Sequence, residues 1–171
     1  LREVPEVQAA PSPTALRSEI RFREVSFSYD GQRPILDRFS MRVKKGEKCL
    51  LKGPSGCGKT TAVNLLLRYF DATDGSIELD GVPIGEYGST YGLMTVVRQE
   101  ATLFRDTLRN NLTFYQPIDD KRLIAVLNSV GLSRLADALD EPVDENGGNF
   151  SGGEKKRICL ARALLRDTEV L

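Results

Sequence analysis

The chain has 171 residues, which is enough for one domain with a substantial buried core. Its 24 lysine and arginine residues balance 24 aspartate and glutamate residues, so its charge gives no reason to propose a nucleic-acid partner or an anionic membrane surface. The chain contains no histidine, which excludes histidine-based acid–base chemistry and histidine metal sites within it. No apolar run approaches the ~20 residues needed to span a bilayer. The three cysteines have neither pairing nor metal-ligand spacing, which is typical of a reducing cytoplasm.

The first half of the chain is predicted to be rich in β-structure. Residues 1–18 carry three prolines among small and charged residues, which is typical of a linker. Residues 49–51 form a short apolar run of the kind found in buried central strands, and a helical pattern follows at residues 62–67. Asp30-Gly31 is a turn signal. Alternating or short apolar patterns predict further strands at residues 20–27, 39–43, 77–79 and 93–97.

The apolar pattern becomes helical in the second half of the chain. Apolar residues recur at helical spacing from Leu123 to Val130, with Asp119 as the predicted N-cap and Gly131 as the stop. This pattern predicts a helical insert at about residues 100–152. The rest is predicted as a polar loop, a helix and the start of a strand, at residues 144–153, 155–165 and 169–171.

One glycine-rich segment satisfies the phosphate-binding pattern Gly-x-x-x-x-Gly-Lys-Ser/Thr in full, between an apolar run and a helical pattern. Glycines let consecutive backbone N–H groups curl around an anion, and the helix that follows adds its positive dipole end. Lys59 would reach the β- and γ-phosphates, and the Thr60 hydroxyl would ligate Mg²⁺. A turn that binds nothing is the alternative, which the correct flanks disfavour. The phosphate loop (Walker A) consists of Gly53, Pro54, Ser55, Gly56, Cys57, Gly58, Lys59 and Thr60.

A second motif selects among the families that share a phosphate loop. Residues 150–154, Phe-Ser-Gly-Gly-Glu, closely resemble the signature Leu-Ser-Gly-Gly-Gln of the nucleotide-binding domains of ATP-binding-cassette (ABC) transporters. The resemblance implies an α/β fold with a P-loop NTPase core, an antiparallel β subdomain and a helical subdomain. In the family, the residues at Ser151, Gly152 and Gly153 contact the nucleotide of the opposite subunit. The departures, Phe150 and Glu154, flank the Ser-Gly-Gly core, and a simple helix cap is the alternative interpretation.

Weaker features follow in the order of the family. Tyr29 matches the aromatic residue that stacks on adenine, although a tyrosine at a strand end is more often a packing residue. Gln99 matches the glutamine that bridges Mg²⁺ and the membrane-domain contact, although a lone glutamine is usually solvated. Thr61 belongs with the nucleotide-binding residues of the same resemblance. Residues 141–147 partly match the loop before the signature in exporters, with an acidic surface turn as the alternative.

The resemblance runs from Ile20 to the end of the chain and favours an exporter-type half-transporter. Residues 1–18 are similar to the stretch that joins membrane helices to this domain, which implies a membrane domain N-terminal to Leu1. It also implies a second nucleotide-binding domain in a head-to-tail dimer, at the cytoplasmic face of a membrane. The alternatives are a soluble ABC-type ATPase acting on nucleic acid or ribosomes, and a regulatory module that binds nucleotide without turnover. No heptad run or basic linker supports the soluble ATPase.

In the family, a later strand ends in Asp-Glu and a later loop presents a histidine to the γ-phosphate. The chain ends at Leu171, so we expect residues 19–171 to be a cassette domain that lacks its C-terminal part. The parent protein is then expected to be an ATPase, and these residues are expected to bind ATP and Mg²⁺ without hydrolysis.

Overall fold

The computed structural model describes residues 12–13 and 15–171, which divide into two compact units at the Met94–Thr95 bond. Most of the predicted linker, residues 1–11 and 14, lies outside the described residues. Within the described part of the chain, no helix combines the length and the apolar character needed to cross a bilayer.

The first unit contains a four-stranded antiparallel sheet in the order β2-β1-β3-β4. Its central strand β1 pairs with β2 on one edge and with β3 on the other. Every apolar residue of the predicted alternation in β1 is buried, and the alternation slips by one residue where Glu24 adopts a φ of +45° and the pairing register shifts. The strands are β1 (Glu19–Phe27), β2 (Leu36–Lys44), β3 (Asp74–Leu79) and β4 (Val82–Pro83).

The turn between β3 and β4 fastens the start of β1. The Asp80 carboxylate accepts hydrogen bonds from the backbone N–H groups of Arg17, Ser18 and Glu19 at 2.7, 2.7 and 2.8 Å. Leu16, just before them, is buried. The last residues of the predicted linker are therefore attached to the sheet before the first strand begins.

Two predicted strands of the first half are absent from both sheets. Residues 49–51 form no strand, and Leu50 is 82% exposed. Residues 93–97 contain only one isolated bridge residue, and the Thr95 N–H donates to Val170 O at 2.8 Å. These strand predictions were wrong for the described structure, because an apolar run becomes a strand only where neighbouring strands satisfy its backbone groups, and none of the described strands lies beside residues 49–51.

The second unit is mainly helical around an apolar core. Its short strands β5 (Asp106–Thr107) and β6 (Pro142–Val143) pair with each other in an antiparallel ladder. The helix predicted at residues 155–165 begins three residues earlier, and the predicted loop therefore ends at Ser151, because Ser151 and Glu154 form a capping box that starts the helix. The first unit contains helix α1 (Lys59–Leu66), and the α-helices of the second unit are α2 (Leu108–Thr113), α3 (Asp120–Ser129) and α4 (Gly152–Leu165).

Candidate functional site

The phosphate loop of the first unit leads directly into helix α1 (Lys59–Leu66). Gly56 and Gly58 have φ angles of +82° and +89°, a region that strongly favours glycine. A Cβ atom on Gly58 would lie 2.7 Å from Leu36 Cδ2 and 3.0 Å from the Ile35 carbonyl oxygen. The backbone of the loop therefore depends on glycine at position 58 for both its conformation and its packing.

The N-terminus of α1 has the properties of an anion site. Gly58 is its N-cap, no side chain caps it, and no acidic residue lies in its first turn. The first N–H groups of such a helix have no partner within the helix and carry the positive end of its dipole. The Lys59 ammonium donates to the carbonyl oxygens of Gly53 and Pro54 at 2.8 and 2.7 Å, so a cation lies directly over the loop. These groups fit a polyphosphate.

The two threonines at the start of α1 differ in environment. The Thr60 side chain is exposed next to Lys59, where a hydroxyl can serve as a ligand to a divalent cation held by phosphate oxygens. Thr61 is buried, and its hydroxyl lies 3.3 Å from the Tyr29 hydroxyl. Among the described residues, no cluster of acidic, cysteine or histidine side chains could hold a metal ion by itself.

Tyr29 lies in a small aromatic cluster beside α1. Its ring meets Phe27 edge to face at 4.8 Å and Phe70 edge to face at 5.2 Å between ring centroids. Tyr29 remains 54% exposed, so a large part of the residue is accessible to a ligand. The turn after it is fixed by the Asp30 carboxylate, whose pKa is lowered to about 2 by hydrogen bonds from the N–H groups of Arg33 and Gln32 and the hydroxyl of Ser28. The structure thus combines both interpretations of Tyr29, as a packed and as an accessible aromatic residue.

The Ser-Gly-Gly motif of the second unit lies at the N-terminus of α4. The Ser151 side chain accepts a hydrogen bond from the Glu154 N–H at 3.3 Å, and Glu154 Oε2 accepts from the Ser151 N–H at 2.9 Å. Arg134 binds the other carboxylate oxygen of Glu154. Arg134 and the Ser151 donors lower the pKa of Glu154 to about 2. Gly152 and Gly153 are exposed in the first turn of the helix, so their N–H groups face no helical acceptor.

Gln99 also belongs to the second unit, where it lies exposed in a bend. Downstream of it, residues 102–105 and residues 145–146 line a groove of about 500 Å³. Gly147 ends the loop before the signature, residues 141–147, with a φ of +67°. A Cβ atom on Gly147 would lie 2.8 Å from Leu103 Cδ1. The loop before the signature is therefore packed against the segment after Gln99.

Sequence reasoning missed two groups of residues. Asn111 is fully buried, and its side chain accepts a hydrogen bond from the Phe104 N–H and donates one to the Phe104 carbonyl oxygen. Arg162 of α4 donates to the Asn111 and Thr102 carbonyl oxygens at 2.7 and 3.1 Å. Phe70 joins the Tyr29 cluster. The available signal for Asn111 and Arg162 was a polar residue within an apolar helical pattern. No such signal marks Phe70, which is an apolar residue after a helix.

Known proteins are similar to this chain over most of its length. The family model described as ABC transporter matches residues 36–171. The ATP-dependent lipid A-core flippase of Burkholderia orbicola is 44% identical over 162 residues, covering 91% of this chain and 27% of the flippase. The mitochondrial iron-sulfur clusters transporter ATM1 of Candida albicans is 39% identical over 159 residues, covering 89% of this chain and 21% of that protein.

A solved structure shares the fold. The structure of a bacterial Atm1-family ABC exporter with ATP bound matches with a TM-score of 0.85 and 33% identity, over 97% of this chain and 30% of that chain. The chain thus spans less than a third of each of these longer proteins. The predicted α/β class, with its P-loop core, antiparallel subdomain and helical subdomain, is confirmed.

Proposed function

Because this chain belongs to the ABC transporter family, we propose that it is the ATP-binding part of an exporter and that it takes up ATP with Mg²⁺ through the phosphate loop. The observation that carries the proposal is the uncapped start of α1, with Lys59 over a loop held by two glycines of positive φ. An oxygen-rich anion is the ligand whose charge and shape match these donors.

The nucleotide-binding residues named above each have a defined role in this proposal. The backbone of the phosphate loop surrounds the phosphates, and Lys59 exchanges its carbonyl partners for the β- and γ-phosphate oxygens. Thr60 contributes its hydroxyl to Mg²⁺, which neutralises charge on the phosphates when bound. Tyr29 offers its accessible ring to the adenine. Gln99 is the further Mg²⁺ ligand implied by the family resemblance.

The partners belong to the same proposal. In a head-to-tail dimer, Ser151 and the N–H groups of Gly152 and Gly153 contact the γ-phosphate held by the second nucleotide-binding domain. The second partner is a membrane domain of the same transporter, and the nucleotide-binding domain lies at the cytoplasmic face of the membrane. The relatives are named a lipid A-core flippase, a mitochondrial transporter and an ABC exporter, and these names support an exporter over an ATPase that acts on nucleic acid or ribosomes.

We also propose that the complete transporter hydrolyses ATP, whereas the 171 residues bind it without turnover. Phosphoryl transfer needs a group that orients the attacking water and groups that stabilise the developing charge. The family supplies these from an Asp-Glu pair and a histidine, and these residues contain no histidine.

ATP titration of a Lys59→Ala variant tests the binding proposal. The substitution removes a charge-assisted contact worth about 1.5–3 kcal/mol, so ATP affinity is expected to fall roughly 10- to 150-fold. Lys121→Ala is the matched control, because it removes an exposed lysine of α3 in the other unit. Equal ATP affinity in the two variants, measured by isothermal titration calorimetry, would contradict the assignment.

A further inference from the structure

We propose that Phe70, together with Thr61, is a positioning residue that holds the Tyr29 ring ready to stack on a nucleobase; the inference rests on the proposed ATP binding. The Tyr29 ring is held at three points. Phe27 contacts it from β1 at 4.8 Å, Phe70 contacts it at 5.2 Å, and its hydroxyl lies 3.3 Å from the Thr61 hydroxyl. Two perpendicular rings and one hydrogen bond leave the side chain little freedom to rotate.

Helix α1 supplies the Thr61 contact, and the segment that follows the helix supplies the Phe70 contact. Thr61 lies in the first turn, next to the phosphate loop, and Phe70 lies just after the last turn. The segment that carries Phe70 is tied to the helix, because the Tyr69 N–H donates to Asn64 O at 2.9 Å. The position of the Tyr29 ring is therefore fixed relative to α1, whose N-terminus is the proposed phosphate site.

The exposure of the cluster separates positioning from core packing. Phe27 is buried at 7% exposure, whereas Tyr29 and Phe70 are 54% and 43% exposed. A phenylalanine that is 43% exposed contributes less to the core than a buried one, yet Phe70 makes close contacts with both other rings. Its surroundings are those of a residue that restricts a neighbouring side chain at the surface.

Restriction of the free ring strengthens binding, because a side chain that is already ordered loses less entropy when the base stacks on it. Loss of this restriction is expected to weaken ATP binding about two- to twelvefold, the equivalent of about 0.5–1.5 kcal/mol for one immobilised side chain. Inorganic tripolyphosphate has no base, so its affinity is expected to stay unchanged. The ratio of the two affinities therefore reports on the ring and not on the phosphate loop.

The experiment compares Phe70→Leu, Phe70→Tyr and Thr61→Val by calorimetric titration with ATP and with inorganic tripolyphosphate. Phe70→Leu removes the ring and is expected to weaken ATP binding alone. Phe70→Tyr keeps the ring and is expected to keep the affinity for ATP. Thr61→Val removes the hydroxyl partner of Tyr29 and is expected to weaken ATP binding. Phe39→Leu is the matched control: it breaks an aromatic pair with Phe22 of 5.6 Å in the same sheet and is expected to leave both affinities unchanged.

A double-mutant cycle completes the test. In a Tyr29→Ala background, Phe70→Leu is expected to have no further effect on ATP affinity, because the ring that it positions is gone. A parallel loss of ATP and tripolyphosphate affinity, an unchanged ATP affinity in Phe70→Leu, or a full effect in the Tyr29→Ala background would each overturn the inference. Absence of ATP binding by the unmutated protein would overturn the proposed function and this inference with it. Urea unfolding midpoints of all variants identify any that are misfolded.

Discussion

The two positive-φ glycines of the phosphate loop allow a paired test of the structure. An alanine at φ near +80° costs about 1–2 kcal/mol of conformational strain, and this cost is common to Gly56→Ala and Gly58→Ala. The entropy that alanine removes from the unfolded chain is also common to both. The surroundings differ: a Cβ atom on Gly56 meets nothing within 4 Å, whereas one on Gly58 overlaps Leu36 Cδ2 at 2.7 Å.

Because Leu36 is buried in the core, it cannot move away freely, and overpacking of this kind costs about 1–3 kcal/mol. Gly58→Ala is therefore expected to lower the free energy of unfolding by about 1–3 kcal/mol more than Gly56→Ala does. Urea denaturation with the slope compared between variants measures the difference. Equal losses, or a larger loss for Gly56→Ala, would show that the loop is not packed against β2 as described.

The other predictions concern the Asp80 turn, the signature and turnover. Asp80→Asn is expected to cost about 1–3 kcal/mol of stability and to speed tryptic cleavage after Arg17, since three backbone N–H groups lose a carboxylate; unchanged cleavage would contradict this. Burial raises the Asp80 pKa, but these donors outweigh it and lower the pKa overall, so the stabilisation is complete above the unfolded value of about 3.9 and disappears as the pH falls through the folded pKa. In the complete transporter, Ser151→Arg is expected to spare ATP binding and to block ATP-dependent dimerisation, and light scattering that shows unmutated dimer formation would refute the trans role. Phosphate release by the 171 residues is expected to match that of Lys59→Ala, and a clearly faster rate would refute the absence of turnover.

The parts that were predictable from the sequence are those whose geometry is set by neighbouring residues. The phosphate loop and the start of α1 are one continuous segment, so the residue types alone predict an anion site there. The alternation in β1 was readable for the same reason, and its slip marks the irregularity at Glu24. The strand predicted at residues 49–51 depended on partners elsewhere in the chain, and local composition carries no information about them.

Contacts between distant residues explain what was missed. Phe70 contacts Tyr29, 41 positions earlier, and nothing in the residues around Phe70 indicates this. Gly152 and Gly153 were assigned to a loop because glycine disfavours helices, but the reciprocal hydrogen bonds of Ser151 and Glu154 outweigh that preference at a helix start. The Ser-x-x-Glu spacing was visible in the sequence and was the signal for an earlier helix start.

Glu154 stands where the signature has glutamine, and it bears on both the proposed absence of turnover and the proposed contact of Ser151 in trans. Its pKa of about 2, set by Arg134 and then by the Ser151 donors, makes it a weak base, so it does not suit the task of accepting a proton from an attacking water. Its Oε2 atom lies 2.8 Å from the Ser151 hydroxyl, which donates to it. That hydroxyl must give up this bond before it can donate to a phosphate in trans. The N–H groups of Gly152 and Gly153 require no such exchange, because they are the first donors of α4 and have no acceptor within the helix. In the proposed dimer, the N–H groups of Gly152 and Gly153 are therefore the donors of the signature that can bind a phosphate without exchange, and the Ser151 hydroxyl binds it only when the phosphate displaces the Glu154 carboxylate.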